Sequence, residues 1–197
     1  MTIRIGLTGS IGMGKSATAQ LFHELGCPVW DADAAVHRLY ARGGSAVTAI
    51  RSAFPDAVAD GAVSRDALRR IIAQDPTALP RIEAIVHPLV RQDREDFANN
   101  HPDGIVVFDI PLLFETGTDK DMHATVCVTI DAETQKSRVL DRGNMTEADL
   151  QRILARQMPN DEKMVRADYI IETDNLEHAR SQVQTVLADI KRRFQNA

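Results

Sequence analysis

An octapeptide near the start of the chain reads Gly9-Ser10-Ile11-Gly12-Met13-Gly14-Lys15-Ser16, and it fits the P-loop pattern G-x-x-x-x-G-K-[ST] at every position. The apolar residues 3–7 before it predict a buried strand, and residues 16–25 after it predict a helix with one apolar face. Glycines in such a turn let backbone N–H groups point at a phosphate, and the positive end of the following helix faces the same anion. The pattern therefore predicts a nucleotide-binding loop between a strand and a helix.

The P-loop assigns chemistry to its side chains. Lys15 can reach the β- and γ-phosphates, and the Ser16 hydroxyl can bind Mg²⁺. The expected ATP-binding residues are Gly9, Ile11, Gly12, Met13, Gly14, Lys15, Ser16 and Ala17. A competing dinucleotide-binding pattern, with Gly12, Gly14 and Ala17 as its small residues and Asp33 as the ribose-binding acid, leaves Lys15 and Ser16 unexplained.

Composition excludes several other classes of protein. The 197 residues include 23 Lys and Arg against 28 Asp and Glu, which gives a formal net charge of −5 and argues against a non-specific nucleic-acid binder or a basic membrane-surface protein. The two cysteines, Cys27 and Cys127, are too few for a disulfide framework or a zinc site. The start of the chain lacks a signal-peptide pattern, and the apolar run 105–114 is too short to span a bilayer. We therefore expect a cytoplasmic protein with no membrane partner.

Further apolar runs organise the rest of the chain. Residues 29–30, 105–108, 124–130 and 169–171 predict four more strands that alternate with helices, which is typical of a P-loop NTPase-type α/β fold with three α/β/α layers and a parallel five-stranded sheet. Two stretches interrupt this core. The first, 34–102, has no convincing strand; Ser64 is expected to cap one of its helices, and Pro88 is expected to block continuation of another that runs from residue 79 to about residue 86.

The second stretch, 135–166, is rich in basic residues and carries a capping box formed by Thr146 and Asp149. The final helix repeats apolar residues over 176–194, and Asp174 and Glu177 are expected to cap its start. The predicted organisation is a core of residues 1–33, 103–134 and 167–197, a helical insertion of residues 34–102, and a helical lid of residues 135–166.

Acidic and basic residues outside the P-loop suggest phosphoryl transfer. Asp109 closes the strand 105–108 and is the candidate Walker-B-like metal ligand. Asp31 and Asp33 follow the second strand and could face a ligand, although such residues are often helix caps, and they share a face only if the strand persists. Arg138 and Arg142 are spaced to project from one helical face, either as part of a lid over the phosphates or as a solvated face.

Several segments together resemble the dephospho-CoA kinase family from residue 3 to about residue 190. They are Gly6-Leu7-Thr8-Gly9 through Lys15-Ser16, Asp31-Ala32-Asp33, His87-Pro88, Asp109-Ile110-Pro111-Leu112-Leu113-Phe114-Glu115, Gln135 through Arg138 to Arg142, and Ala155-Arg156-Gln157. The P-loop alone is shared with many kinases, whereas the Asp-Ala-Asp and Pro-Leu-Leu-Phe-Glu segments are far more specific. The resemblance implies ATP-dependent phosphorylation of the ribose 3′-hydroxyl of dephospho-CoA, on a nucleotide-binding core with a CoA-binding insertion and an Arg-bearing lid.

The resemblance also implies roles for individual residues. Asp33 would be the base on the 3′-hydroxyl; Lys15, Arg138 and Arg142 would neutralise phosphate charge; Ser16 and Asp109 would arrange Mg²⁺. The residues expected at the substrate are Asp31, Asp33, Arg65, His87, Leu112 and Glu115. His87 precedes a proline, so a helix-end cap is the alternative for it. The chain departs from the family at Ser10 and Ala17, and again at Glu172-Thr173, where the family often has an asparagine.

Two other functions stay open on the sequence alone. One is another P-loop kinase that acts on nucleosides or nucleotides. The other is a non-catalytic module that uses ATP to order a lid and recruit a partner. For the leading function the expected partners are the small molecules ATP and dephospho-CoA, and the expected assembly is a monomer or a small homo-oligomer.

Overall fold

The computed structural model describes residues 2–143 and 145–195. In chain order its elements are β1 (Thr2–Thr8), α1 (Lys15–Glu24), β2 (Val29–Asp31), α2 (Ala32–Tyr40), α3 (Val47–Ala53), a 3-10 turn (Pro55–Ala57), β3 (Val58–Ala59), β4 (Ala62–Val63), α4 (Arg65–Gln74), α5 (Ala78–Asn99), β5 (Gly104–Asp109), a second 3-10 turn (Thr118–Asp121), β6 (Ala124–Thr129), α6 (Ala132–Leu140), α7 (Glu147–Leu154), α8 (Asn160–Arg166), β7 (Tyr169–Glu172) and α9 (Leu176–Gln195). The chain forms two compact units, Met1–Trp30 with His101–Ala197, and Asp31–Asn100.

The larger unit is built on a five-stranded sheet in the order β2-β5-β1-β6-β7. Strand β1 runs parallel to both β5 and β6, and β6 runs parallel to β7, so the predicted parallel α/β sheet is confirmed. Its strands read as almost continuous apolar runs because helices and loops cover both faces. The carboxyl ends of β1 and β5 lie side by side, with Leu7 opposite Asp109, and this places the P-loop next to that carboxylate.

Different elements pack on the two faces of the sheet. Ile5 and Leu7 belong to the hydrophobic core that includes Phe22 of α1 and Val183 of α9, and these two helices pack against each other. Gly6 points to the other face, where an added Cβ would lie 2.8 Å from the Leu113 side chain. The loop that follows β5 therefore packs directly on the sheet, and α8 packs on β6.

The smaller unit has its own core. Helix α5 packs against α2, α3 and α4, and Leu39, Ile50, Leu68 and Ile82 are buried among these helices. Ser64 caps α4 as predicted, since its hydroxyl accepts the Ala67 N–H at 3.2 Å. The prediction that this stretch has no strand is wrong in one detail, because β3 and β4 form a short antiparallel hairpin. Two-residue strands are too short to give an alternating pattern in the sequence.

One predicted helix boundary and one predicted helix cap are also wrong. Helix α5 runs through Pro88 to Asn99, because it is buried at Ile82 and Val86 before the proline and at Ala98 after it, and this packing outweighs the missing N–H. Helix α9 is capped by Asn175, whose Oδ1 accepts the His178 N–H at 2.9 Å. Asp174 instead accepts the N–H of Asn175 at 2.8 Å.

The Thr146–Asp149 capping box at the start of α7 is present as predicted. Within the residues that the structure describes, none of the helices combines the length and the apolar character that crossing a membrane requires.

Candidate active site

The P-loop turns between β1 and α1 in a backbone conformation that needs glycine. Gly12 and Gly14 have φ of +79° and +87°, values that side-chain-bearing residues rarely adopt. A Cβ on Gly12 would lie 2.6 Å from the Val139 side chain, and one on Gly14 would lie 2.7 Å from the Thr173 hydroxyl. Helix α1 begins at Lys15, so its unpaired amide end opens onto the loop, as an anion site requires.

Lys15 and Asp109 form an ion pair next to this loop. The Asp109 carboxylate is buried at the end of β5, with 3% of its side chain exposed, while 17% of the Lys15 side chain is exposed. Sequence reasoning predicted a site role for each residue, and the structure brings them into contact. A buried carboxylate needs such a partner to remain charged.

Mg²⁺ fits the oxygen atoms available here. Ser16 is exposed in the first turn of α1, and Asp109 supplies a carboxylate on the neighbouring strand. Mg²⁺ is commonly held by one or two protein oxygens together with phosphates and water, rather than by a cage of side chains. Among the described residues, no group of three or more His, Cys, Asp or Glu could hold a metal ion by itself.

Side chains from the stretch 135–166 hold the P-loop backbone. Asn160 Oδ1 accepts the Ser10 N–H at 3.2 Å, and Gln157 Oε1 accepts the Ile11 N–H at 3.4 Å. Gln135 Nε2 donates to the Ile11 carbonyl at 2.7 Å. The first turn of the P-loop is therefore fixed by amide side chains near both ends of this stretch.

Thr173 connects the P-loop to Arg138. Its hydroxyl donates to the Met13 carbonyl at 2.9 Å and accepts from Arg138 Nη1 at 3.0 Å. Its own carbonyl accepts from Arg138 Nη2 at 2.6 Å. These bonds use two of the five N–H donors of the guanidinium, so Arg138 is anchored beside the P-loop with donors left for a phosphate.

Arg142 does not share a helical face with Arg138, and the prediction that it does is wrong. Helix α6 ends at Leu140, and the Gly143 N–H donates to the Leu140 carbonyl at 2.9 Å with a φ of +69° at Gly143. Arg142 therefore lies exposed in the turn after the helix.

Glu115 is bound from two directions by the segment around α8. Its Oε1 lies 2.9 Å from Lys163 Nζ and accepts the Met158 N–H at 2.9 Å. Burial by itself would raise the pKa of Glu115, but the Lys163 ammonium and the Met158 amide together hold that pKa below its usual value. Burial also raises the pKa of the nearby Cys127 thiol to about 11, which keeps the thiol protonated and unreactive.

The acidic pair of the smaller unit takes helix positions. Asp31 ends β2 and caps α2, where its Oδ1 accepts the Ala34 N–H at 2.6 Å. The strand does not persist, so Asp33 lies exposed in the first turn of α2 rather than on a strand face. Arg65 Nη2 lies 3.4 Å from the Asp33 carbonyl, and its guanidinium carbon lies 5.9 Å from the centre of the Tyr40 ring.

The other predicted substrate residues are exposed. His87 lies inside α5, so the helix-end alternative for it is wrong, and it lines a groove of about 270 Å³ with Pro88, Arg91, Gln92 and Glu95. Leu112 is 40% exposed in the loop after β5, which is unusual for a leucine that follows a buried strand. The substrate-binding roles of Asp31, Asp33, Arg65, His87, Leu112 and Glu115 stay predictions.

Asn160, Lys163 and Thr173 belong to this site, although the sequence alone assigned none of them a role. Lys163 is 0% exposed, yet its sequence neighbourhood is polar and typical of a solvated helix. Only Thr173 gave a signal, as the position next to Glu172 where the chain departs from the family pattern. Such residues are visible only once the tertiary contacts are known.

A P-loop at the first strand-helix turn, an acid at the end of the adjacent strand and a parallel five-stranded sheet define a nucleotide-binding protein of the P-loop kinase class. A family model described as dephospho-CoA kinase matches residues 3–178. The dephospho-CoA kinase of Ruegeria pomeroyi is 61% identical over 191 residues, which cover 97% of each chain. The chain belongs to the dephospho-CoA kinase family, whose members are ATP-dependent kinases.

Two solved structures have the same fold as this chain. The crystal structure of TT1252 from Thermus thermophilus superimposes with a TM-score of 0.85 at 35% identity, covering 96% of this chain and 98% of that one. The dephospho-CoA kinase from Campylobacter jejuni has a TM-score of 0.70 at 22% identity and covers 98% of both chains. The second similarity shows the shared fold.

Proposed function

We propose that this chain transfers the γ-phosphoryl group of ATP to the ribose 3′-hydroxyl of dephospho-CoA. The bond between the γ-phosphorus and the β,γ-bridging oxygen breaks, a bond from the 3′-oxygen to that phosphorus forms, and the hydroxyl proton leaves, giving CoA and ADP. The observation that carries the proposal is the Lys15–Asp109 pair beside the P-loop, in a chain whose family match extends over residues 3–178.

The nucleotide side of the reaction uses the P-loop and two arginines. The backbone amides of Gly12 to Ala17 would surround the β- and γ-phosphates, and Lys15 would neutralise charge that develops on the transferred group. Arg138, anchored on Thr173, would add donors to the same group. Arg142, exposed in the turn after α6, would join it when the surrounding segment covers the nucleotide.

Ser16 and Asp109 would hold Mg²⁺. Mg²⁺ held there would supply positive charge that offsets the charge of the phosphates. Lys15 is bound to Asp109 and would orient that carboxylate. The same lysine would then contact both the metal-binding carboxylate and the phosphates.

The acceptor side of the reaction uses the smaller unit and the loop after β5. Asp33 would accept the proton of the 3′-hydroxyl as general base, since an exposed carboxylate in a first helical turn is free to turn toward a substrate. Asp31, Arg65, His87, Leu112 and Glu115 would bind dephospho-CoA. Residues 34–102 would form the helical CoA-binding insertion.

Residues 135–166 would act as the lid, and the contacts suggest which part of this stretch moves. The ends of the stretch are bound to the P-loop through Gln135, Gln157 and Asn160, so α7 between them would carry the motion. Closure would exclude water, which otherwise competes with the acceptor for the phosphoryl group. We further propose that the enzyme works in the cytoplasm as a monomer or a small homo-oligomer.

A coupled ADP-release assay tests the proposal. Purified chain, ATP and Mg²⁺ are mixed with dephospho-CoA, adenosine, AMP or no acceptor, and CoA is identified among the products. We expect ADP release that depends on dephospho-CoA and equals CoA formation. Release that follows adenosine or AMP instead would leave a P-loop kinase with another acceptor. Binding of ATP without release would favour the non-catalytic module that uses ATP to order a lid.

A further inference from the structure

Lys163 is a completely buried lysine. It lies in α8 with 0% of its side chain exposed, and its Nζ donates to the Pro111 carbonyl at 2.8 Å and pairs with Glu115 at 2.9 Å. Moving an ammonium group out of water carries a large desolvation penalty. Hydrophobic residues of similar volume in place of a buried ion pair are often neutral or stabilising, so stability alone does not account for the Lys163–Glu115 pair.

The two partners of Lys163 lie in the loop that follows Asp109. Pro111 is two residues beyond Asp109, and its carbonyl also accepts from the Thr8 hydroxyl at 3.1 Å, at the end of β1. Lys163 therefore fixes the backbone between the Asp109 carboxylate and the exposed Leu112. Its bond to Glu115 fixes the far end of the same segment.

The Lys163–Glu115 pair also fixes the point where the lid returns to the core. Glu115 Oε1 pairs with Lys163 Nζ and accepts the Met158 N–H. Neither of these contacts uses Oε2. Met158 lies between Gln157 and Asn160, which hold the Ile11 and Ser10 amides of the P-loop. Residues 157–163 thus contact the P-loop on one side and the loop after β5 on the other.

We propose that Lys163 is a positioning residue for phosphoryl transfer. It orients Glu115 so that Oε1 is bound within the protein and Oε2 is left for the acceptor. It also holds the Asp109–Glu115 loop at a fixed distance from the P-loop. The inference rests on the proposed function, because it assigns the acceptor side of that reaction to Glu115. Lys163 itself contacts no substrate.

Lys163→Met tests this role, since methionine keeps the length and removes the charge. Steady-state kinetics are measured at a temperature where thermal unfolding shows the variant to be fully folded. We expect kcat to fall about ten- to hundred-fold, because misplacing a reacting group by about 1 Å has an effect of that size. KM for dephospho-CoA should rise about ten-fold while KM for ATP stays within about two-fold.

A double variant separates positioning from stability. Lys163→Met alone leaves the Glu115 carboxylate without its cation, so its unfolding temperature should fall. Glu115→Gln combined with Lys163→Met removes both charges and should recover most of the unfolding temperature, while kcat stays low. Lys191→Met is the matched control, because Lys191 is exposed on α9, outside the P-loop and the lid, and it should leave all constants unchanged.

Two results would overturn the inference. One is Lys163→Met with wild-type kcat and wild-type KM for both substrates, despite a lower unfolding temperature. The other is recovery of kcat together with stability in the double variant. If the wild-type chain instead releases ADP only with another acceptor, the proposed function fails, and the same variants are compared on that acceptor to judge Lys163 separately.

Discussion

Arg138 is held by both of its terminal nitrogens on a single residue, Thr173. Nη1 donates to the Thr173 hydroxyl at 3.0 Å and Nη2 donates to the Thr173 carbonyl at 2.6 Å. The same hydroxyl donates to the carbonyl of Met13 in the P-loop. A hydroxyl that accepts from one group and donates to another ties their positions together, so the position of the guanidinium depends on the position of the P-loop.

Thr173→Val removes this hydroxyl and keeps the shape of the side chain. We expect kcat to fall about ten-fold, because a lost hydrogen bond to a charged group changes a free energy by about 1.5 kcal/mol or more. Thr173→Ser keeps the hydroxyl and should retain most of the activity. Steady-state kinetics of both variants check this, and equal kcat values for the valine and serine variants would remove the role assigned to the hydroxyl.

Asp109→Asn should make the enzyme depend on higher Mg²⁺ concentrations. Asparagine keeps the size of the side chain but loses the charge that binds Lys15 and that would bind the proposed Mg²⁺, so kcat at fixed Mg²⁺ should fall about a hundred-fold or more. A titration of activity with Mg²⁺ measures the shift in the half-maximal concentration. Asp189→Asn is a control on α9, where the carboxylate accepts from the Tyr169 hydroxyl. An unchanged Mg²⁺ dependence for Asp109→Asn would contradict the metal role.

Asp33→Asn should lower kcat about a hundred-fold or more, since general-base catalysis contributes effects of that size. The KM values for ATP and dephospho-CoA should change only a few-fold, because the side chain keeps its shape. Asp66→Asn is the comparison variant. Asp66 lies in the first turn of another helix of the same unit, and its carboxylate pairs with exposed Arg69. A variant at Asp33 with normal kcat and a raised KM would make the residue a binding group.

The sequence was sufficient for the P-loop and the strands around it because their patterns are local. Gly12, Gly14 and Lys15 belong to one short motif that the sequence shows directly. The apolar run before Asp109 identifies its strand without any tertiary information. Residues 31 and 33 were harder, since a carboxylate after a strand can either cap a helix or face a ligand. Only the backbone at Asp31 decides between these positions.

Lys163 and Asn160 could not be found from local patterns. Each has its effect through partners distant in sequence, such as the Lys163 bond to the Pro111 carbonyl and the Asn160 bond to the Ser10 amide. In the sequence, a buried lysine cannot be told from an exposed lysine of a polar helix, because its partners lie far away in the chain. Helix α5 also depends on tertiary contacts, since packing of both of its halves allows Pro88 inside the helix.

His123 should make the stability of the fold depend on pH. Its Nδ1 accepts the Arg4 N–H at 2.9 Å, and burial, together with the positive charge of Arg4, lowers the pKa of His123 below the ordinary 6.5. As pH falls below about 6.5, the unfolded chain takes up this proton before the folded chain does, so stability is present above that pH and is lost toward the lower folded pKa. Urea unfolding at pH 7.5, 6.5 and 5.5 measures the loss. His123→Asn should lose less stability toward low pH, because its amide oxygen can accept the same N–H without titrating. His37→Asn, at an exposed position, should show the same loss as the wild type. Equal losses for the wild type and His123→Asn would contradict the assignment.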